Sequence, residues 1–135
     1  MGKIMIAAND LRIGNWVQLT DAWYKNHPQY YNEPKMQKVK TFNYDYLLKT
    51  HYINSYDLSD LEPIPLTEKI LLDCGFYIDE TKNASRMLPN NEVLILELND
   101  KGIYTDYAYG TEIEYLHNLQ NLHKELSKTE LIINL

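Results

Sequence analysis

Apolar and polar positions change rhythm along the chain. From Leu11 to Leu19 they alternate well enough for a strand, with Gly14-Asn15 placed to form a bulge. Residues 20–34 are rich in turn formers, including His27-Pro28 and Glu33-Pro34, and predict a loop. Alternation returns from Met36 to Tyr46 through Val39, Thr41, Tyr44 and Tyr46, a second strand. A weaker third strand is expected near Tyr52-Ile53.

After residue 60 the pattern shifts. Leu61-Glu62-Pro63-Ile64-Pro65-Leu66 is expected to be extended, because a residue before proline is pushed out of the helical region. It reads as a connector. Thr67 can cap a short helix that begins at Glu68, an acid where the helix dipole favours one. Ile70, Leu71 and Cys74 give that helix an apolar face. Gly75 suits the left-handed position that ends it, and Phe76 the hydrophobic lock that follows. Glu92–Leu98 and Ile103–Tyr109 predict a hairpin across Asn99-Asp100-Lys101-Gly102, where Gly102 can take positive φ.

Thr111-x-x-Glu114 has the form of a capping box and predicts a second helix. At about 100° per residue, Tyr115, Leu119, Leu122 and Leu126 share one stripe, flanked by Leu116, that would pack on the hairpin sheet. His117, Gln120 and Asn121 lie on the other side. The helix should end near Lys128, and Thr129–Ile133 could add a last strand. The expected fold is α+β, one domain of 135 residues. A small SH3-like β-barrel or half-barrel over residues 1–60 is followed by a helix–hairpin–helix half over 61–135.

Composition narrows the chemistry. Cys74 is the sole cysteine, so no intrachain disulfide can form, as suits a reducing compartment. No stretch approaches the ~18 apolar residues of a membrane span, and the run Ile4–Ala8 is too short for an export signal. A cytoplasmic protein is expected. Charge is uneven. Residues 1–56 hold seven Lys/Arg and four Asp/Glu, whereas 57–135 hold six and 15. An acidic half repels nucleic acid and attracts basic protein surfaces, although solvated surface charge has the same composition.

Catalytic equipment is hard to find. The histidines His27, His51, His117 and His123 and the thiol of Cys74 lack the spacing of a zinc site. Cys74 sits at the C-terminal end of its helix, where the dipole disfavours thiolate, so Cys74, His117 and Asn121 make a poor hydrolase triad. The serines sit in no nucleophile elbow, and no Gly-rich loop precedes a helix. Neither an enzyme nor a bound metal, cofactor or small-molecule substrate is expected. Two binding surfaces compete. Trp23, Tyr24, Tyr30 and Tyr31 crowd the first loop near Lys38 and Lys40, the mixture of rings and cations that tracks single-stranded nucleic acid. The same rings could simply pack over the strands. The acidic half offers Asp106, Glu112, Glu114 and Glu125, together with the polar side chains of His117, Gln120 and Asn121.

Three segments resemble a group of small accessory proteins found in phages and prophages of Bacteroidota. They are Leu11-Arg12-Ile13-Gly14-Asn15-Trp16-Val17, then Glu62-Pro63-Ile64-Pro65-Leu66-Thr67-Glu68 with Cys74-Gly75-Phe76, then Tyr115-Leu116-His117-Asn118-Leu119-Gln120-Asn121-Leu122 with Glu130-Leu131. The Tyr-rich stretch near residues 22–33 and a tail lacking Gly before Glu130-Leu131 depart from that group. A composition rich in Lys, Asn, Ile and Tyr, all with A/T-rich codons, agrees with it. The resemblance carries no established activity and no catalytic residue. It implies the setting of a mobile element, where small genes often encode inhibitors of host defence, anti-CRISPR proteins among them.

The expectation is therefore a non-enzymatic, protein-binding inhibitor of a host nucleic-acid-handling defence effector or its RNA-bound complex. Asp106, Glu112, Glu114, Glu125, His117, Gln120 and Asn121 would form its contact surface. The alternatives are a small RNA- or DNA-binding module using Trp23, Tyr24, Tyr30, Tyr31, Lys38 and Lys40, or a phage structural accessory.

Overall fold

The computed structural model describes residues 11–42, 47–50 and 55–133. The opening segment, residues 43–46 of the second expected strand and the third expected strand at Tyr52-Ile53 lie outside them. The described chain is α+β, with three α-helices and two antiparallel sheets. It divides into two compact units between Ile64 and Pro65, inside the proline-flanked connector.

The first unit is a five-stranded sheet in the order β4-β3-β2-β1-β5. Its strands are β1 (Trp16–Leu19), β2 (Met36–Phe42), β3 (Leu47–Thr50), β4 (Ser55–Asp57) and β5 (Leu61–Glu62). The register shifts between Val39 and Thr41 of β2. Among the described residues no pairing joins the edge strands β4 and β5, so a closed barrel is not found. Those edges are three and two residues long, which leaves few backbone groups for closure.

The first strand starts later than its alternation suggests. Leu11–Asn15 forms a turn in which Asn15 N–H donates to the Arg12 carbonyl at 3.0 Å. Gly14 takes φ +96°, the conformation demanded at the third position of a type II turn. The anticipated bulge at Gly14-Asn15 is thus a turn. Residues 20–34 are also more ordered than a loop. Helix α1 (Asp21–Asn26) and a 3-10 turn (Pro28–Tyr30) fill them. Thr20 Oγ1 caps α1 by accepting from Trp23 N–H at 3.2 Å. The helix places Trp23 in a core with Leu11, Val17, Leu19, Val39, Tyr56 and Leu61.

The second unit is a continuous antiparallel meander, β10-β9-β8-β7-β6. Its strands are β6 (Tyr77–Ile78), β7 (Ala84–Met87), β8 (Val93–Leu98), β9 (Tyr104–Asp106) and β10 (Glu112–Ile113). Helix α2 (Glu68–Asp73) precedes the sheet and α3 (Leu116–Ser127) follows it. Thr67 Oγ1 caps α2 through Ile70 N–H at 3.2 Å. Gly75, at φ +84°, and Phe76 end it with a paired Schellman arrangement, donating to the carbonyls of Leu72 at 3.0 Å and Leu71 at 2.9 Å. The hairpin of β8 and β9 turns at Asn99–Gly102, and Gly102 has φ +78°. These local devices match the expectation.

Two expectations about the C-terminal region do not hold, and a third, the apolar stripe of α3, holds only for Leu116 and Leu119. Thr111 and Glu114 do not open α3, because Glu112-Ile113 is drawn into the sheet opposite Thr105 and Tyr104. The cap lies at Tyr115, whose N–H donates to Asn118 Oδ1 at 3.2 Å. Thr129–Ile133 adds no strand; Leu131 alone of that segment is buried. The buried face of α3 is Leu116, His117, Leu119, Gln120, His123 and Ser127. Tyr115, Leu122 and Leu126 are half-buried. The helix begins beside β10, and the Leu126 carbonyl accepts from Asn90 Nδ2 at 3.0 Å in the β7–β8 turn. It therefore spans the sheet, and that path decides which face is covered.

Candidate functional site

The acidic residues separate by position. Glu112, on the edge strand β10, Glu114, just before α3, and Glu125, on the outer side of α3, are exposed. Asp106 is not a surface residue, at 3% exposure. It lies on the inward face of β9 opposite Leu96, and its Oδ1 accepts from Ala108 N–H at 3.0 Å. Its alternation with the half-buried, outward Thr105 reverses the surface role expected of it. His117 and Gln120 are buried as well, and Asn121 is half-buried. The rings of Tyr115 and His117 stack nearly parallel with centroids 6.0 Å apart. The polar side of α3 therefore faces partly inward instead of forming one exposed binding face.

Two polar groups on that inward face, His123 Nδ1 and Ser127 Oγ, are held by hydrogen bonds. His123 Nδ1 donates to the Thr129 carbonyl at 2.9 Å, an acceptor that requires the proton on Nδ1 in the neutral ring. Ser127 Oγ donates to the His123 carbonyl at 2.8 Å and lies 2.8 Å from Thr129 Oγ1. Burial holds the His123 pKa below its ordinary value, more than the Thr129 contact raises it. The Ser127–His123 pair is thus committed to closing the helix end, where Lys128 takes the left-handed conformation at φ +64°. Burial also pushes the Cys74 thiol up to about 11, which keeps it protonated near neutral pH. Among the described residues no three His, Cys, Asp or Glu side chains gather into a metal-binding group.

The aromatic loop of the first unit is mostly structural. Trp23 is buried and stacks on His27 at 4.7 Å, with Tyr56 edge-on at 5.5 Å. Tyr24 is half-buried and donates its hydroxyl to the Glu33 carbonyl at 2.5 Å. Tyr56 hydroxyl donates to the Glu33 carboxylate. These contacts fasten the loop onto the core. Tyr30 and Tyr31 remain exposed, Tyr31 at 76%. Lys38 and Lys40 are exposed on the outward face of β2. The register places Trp16, half-buried, directly opposite Lys38. Trp16 is a candidate that composition alone passes over; the strand alternation Trp16-Val17-Gln18-Leu19 carries the signal, because Val17 and Leu19 are the inward pair.

The second sheet has a more conspicuous outward face. Tyr77 pairs with Ser85 and Ser85 with Ile95, while Tyr107 N–H donates to the Ile95 carbonyl at 3.0 Å. Met87 pairs with Val93 in the adjoining row. Directly opposed residues share a face, so Tyr77, Met87, Val93, Ile95 and Tyr107 lie together. All five are exposed, Tyr77 at 70% and Tyr107 at 66%. On their other side Glu97 pairs with Thr105 and Thr105 with Glu112. No Lys or Arg occupies any of these positions.

No family model, curated protein or solved structure matches the chain. Among the described residues no helix is long and apolar enough to cross a membrane.

Proposed function

We propose that the protein is a non-enzymatic, protein-binding inhibitor of a nucleic-acid-handling host defence effector, acting in the bacterial cytoplasm as a phage accessory. The observation that carries this reading is the carboxylate excess after residue 57, of which Glu112, Glu114 and Glu125 stand exposed. Such effectors hold RNA or DNA in basic channels, and carboxylates presented on a folded surface compete for the same cations. Asp106 leaves the contact set because it is buried. The test is cleavage of a reporter RNA by a purified RNA-guided ribonuclease from a Bacteroidota host. The expected result is inhibition by the protein and its loss when Glu112, Glu114 and Glu125 are changed together to Lys. Inhibition untouched by that charge reversal removes the assignment.

A second reading rests on Trp16, Lys38 and Lys40, which share the outward face of β1 and β2. A ring beside two cations can stack and track a single strand. Its affinity for an oligonucleotide should fall steeply with added salt, and a flat salt profile removes it. The strand order, the register shift in β2 and the 3-10 turn Leu58–Asp60 before β5 support a half-barrel of SH3-like kind for this unit.

A further inference from the structure

We propose that the outward face of the second sheet docks an amphipathic, Lys/Arg-rich helix of a partner protein. The apolar part of this face is Tyr77, Met87, Val93, Ile95 and Tyr107, a cluster from three strands and the Tyr107 turn with the half-buried Ser85 between Tyr77 and Ile95. Exposed apolar side chains that cluster, as these do, are often functional, whereas scattered single ones are ordinary. The cluster lies on the opposite side of the sheet from Ala84, Leu94, Leu96 and Tyr104, which are buried. The sheet's own core is thus on the other face, and among the described residues these outward side chains stay exposed.

Charge selects the occupant. Glu97 and Glu112 border the apolar row on the same face, and among the described residues no Lys or Arg takes a paired position beside them there. A second copy of this chain would bring like charges together across the interface, which costs affinity. A partner carrying cations beside apolar anchors satisfies both rows at once. The row from Tyr77 to Tyr107 crosses three strand spacings, about 14 Å. About ten residues of helix cover that length, with anchors one helical turn apart. Aromatic residues at the two ends, Tyr77 and Tyr107, suit the role of binding hot spots.

This docking surface rests on the protein-binding reading but not on the identity of the target. The probe is an 18-residue Leu/Lys peptide patterned as an amphipathic helix, titrated into the full chain labelled with ¹⁵N. Amide shifts are expected at Tyr77, Ile95, Glu97, Tyr107 and Glu112. Tyr107→Ser and the pair Glu97→Lys with Glu112→Lys should each weaken binding at least tenfold. Val93→Ser provides a second apolar variant should Tyr107→Ser not fold. Shifts confined to Glu114 and Glu125, or equal binding by a Ser/Lys peptide of the same charge, overturn the proposal. A dimer in sedimentation that Tyr107→Ser disperses also overturns it, in favour of a second copy. Peptide docking without nuclease inhibition would sink the defence target alone. Nuclease inhibition that survives Tyr107→Ser, with no peptide shifts, would sink this face alone.

Discussion

The two units solve one problem in different ways. Each is a five-stranded antiparallel sheet with one covered face. The first is lidded by its own β1–β2 connection, which carries Trp23 inward on the six residues of α1. The second is lidded by the 12 residues of α3. A connection used as a lid must be fastened point by point, and Glu33 is the fastener, taking the hydroxyls of Tyr24 and Tyr56. A long helix satisfies its own backbone over most of its length, and this one also buries the polar side chains of His117, Gln120 and His123. The outward faces differ accordingly. Lys38, Lys40 and Trp16 mark the first; Glu97, Glu112 and a row of apolar side chains mark the second.

The largest effects should come from the two lids. Trp23→Ala is expected to cost about 3–5 kcal/mol and Leu119→Ala about 2–5 kcal/mol, by loss of burial plus the cavity left behind. Hydrogen exchange resolved along the chain should show protection falling first in β1, β2 and β5 for the former and in β8–β10 for the latter. Equal loss in both units from either change would abolish the distinction between them.

Next come the fasteners. Tyr56→Phe removes a hydrogen bond to a carboxylate and should cost about 1.5–3 kcal/mol, read as a lower midpoint in urea. The caps are a closer match between the units. Thr20→Ala and Thr67→Ala each remove one N-cap bond and should cost about 1 kcal/mol apiece. A much larger cost for Thr20→Ala would show that the cap also positions the Trp23 lid. At the far end of α3 the change should reverse sign. Lys128→Gly relieves a left-handed backbone and should stabilise by about 1 kcal/mol.

The last test is acid titration, and it addresses the second unit. His123 has a lowered pKa in the fold because it is buried, so the unfolded chain binds the proton more readily. Its contribution is intact above the unfolded value of about 6.5 and is lost as pH falls from there towards the folded pKa. Thermal melts should drop over that window, and His123→Phe should flatten that limb. An unchanged limb in the variant would place the acid sensitivity elsewhere.

Local chemistry was legible in the residues themselves. The Thr67 cap, the Gly75-Phe76 stop and the Asn99–Gly102 turn each depend on neighbours within a few positions, and each appears as expected. The helix α1 was not legible, because its six residues include Asp and Asn and are followed by His27-Pro28 and Glu33-Pro34, which alone read as loop. The Thr111-x-x-Glu114 pattern misled for the converse reason. A capping box competes with strand pairing, and β9 was there to claim Glu112 and Ile113.

The candidate surfaces divide along the same line. Sequence alone determined the acidic balance after residue 57, the inert placement of Cys74 at a helix end and the alternation that makes strands. Tertiary structure decided that Asp106, His117 and Gln120 turn inward, while Tyr77, Ile95 and Tyr107 turn outward into one row. The physical reason is register. A strand's period states which residues share a face, but which face is covered depends on where α3 crosses, and which rows align depends on pairings between residues distant in the chain.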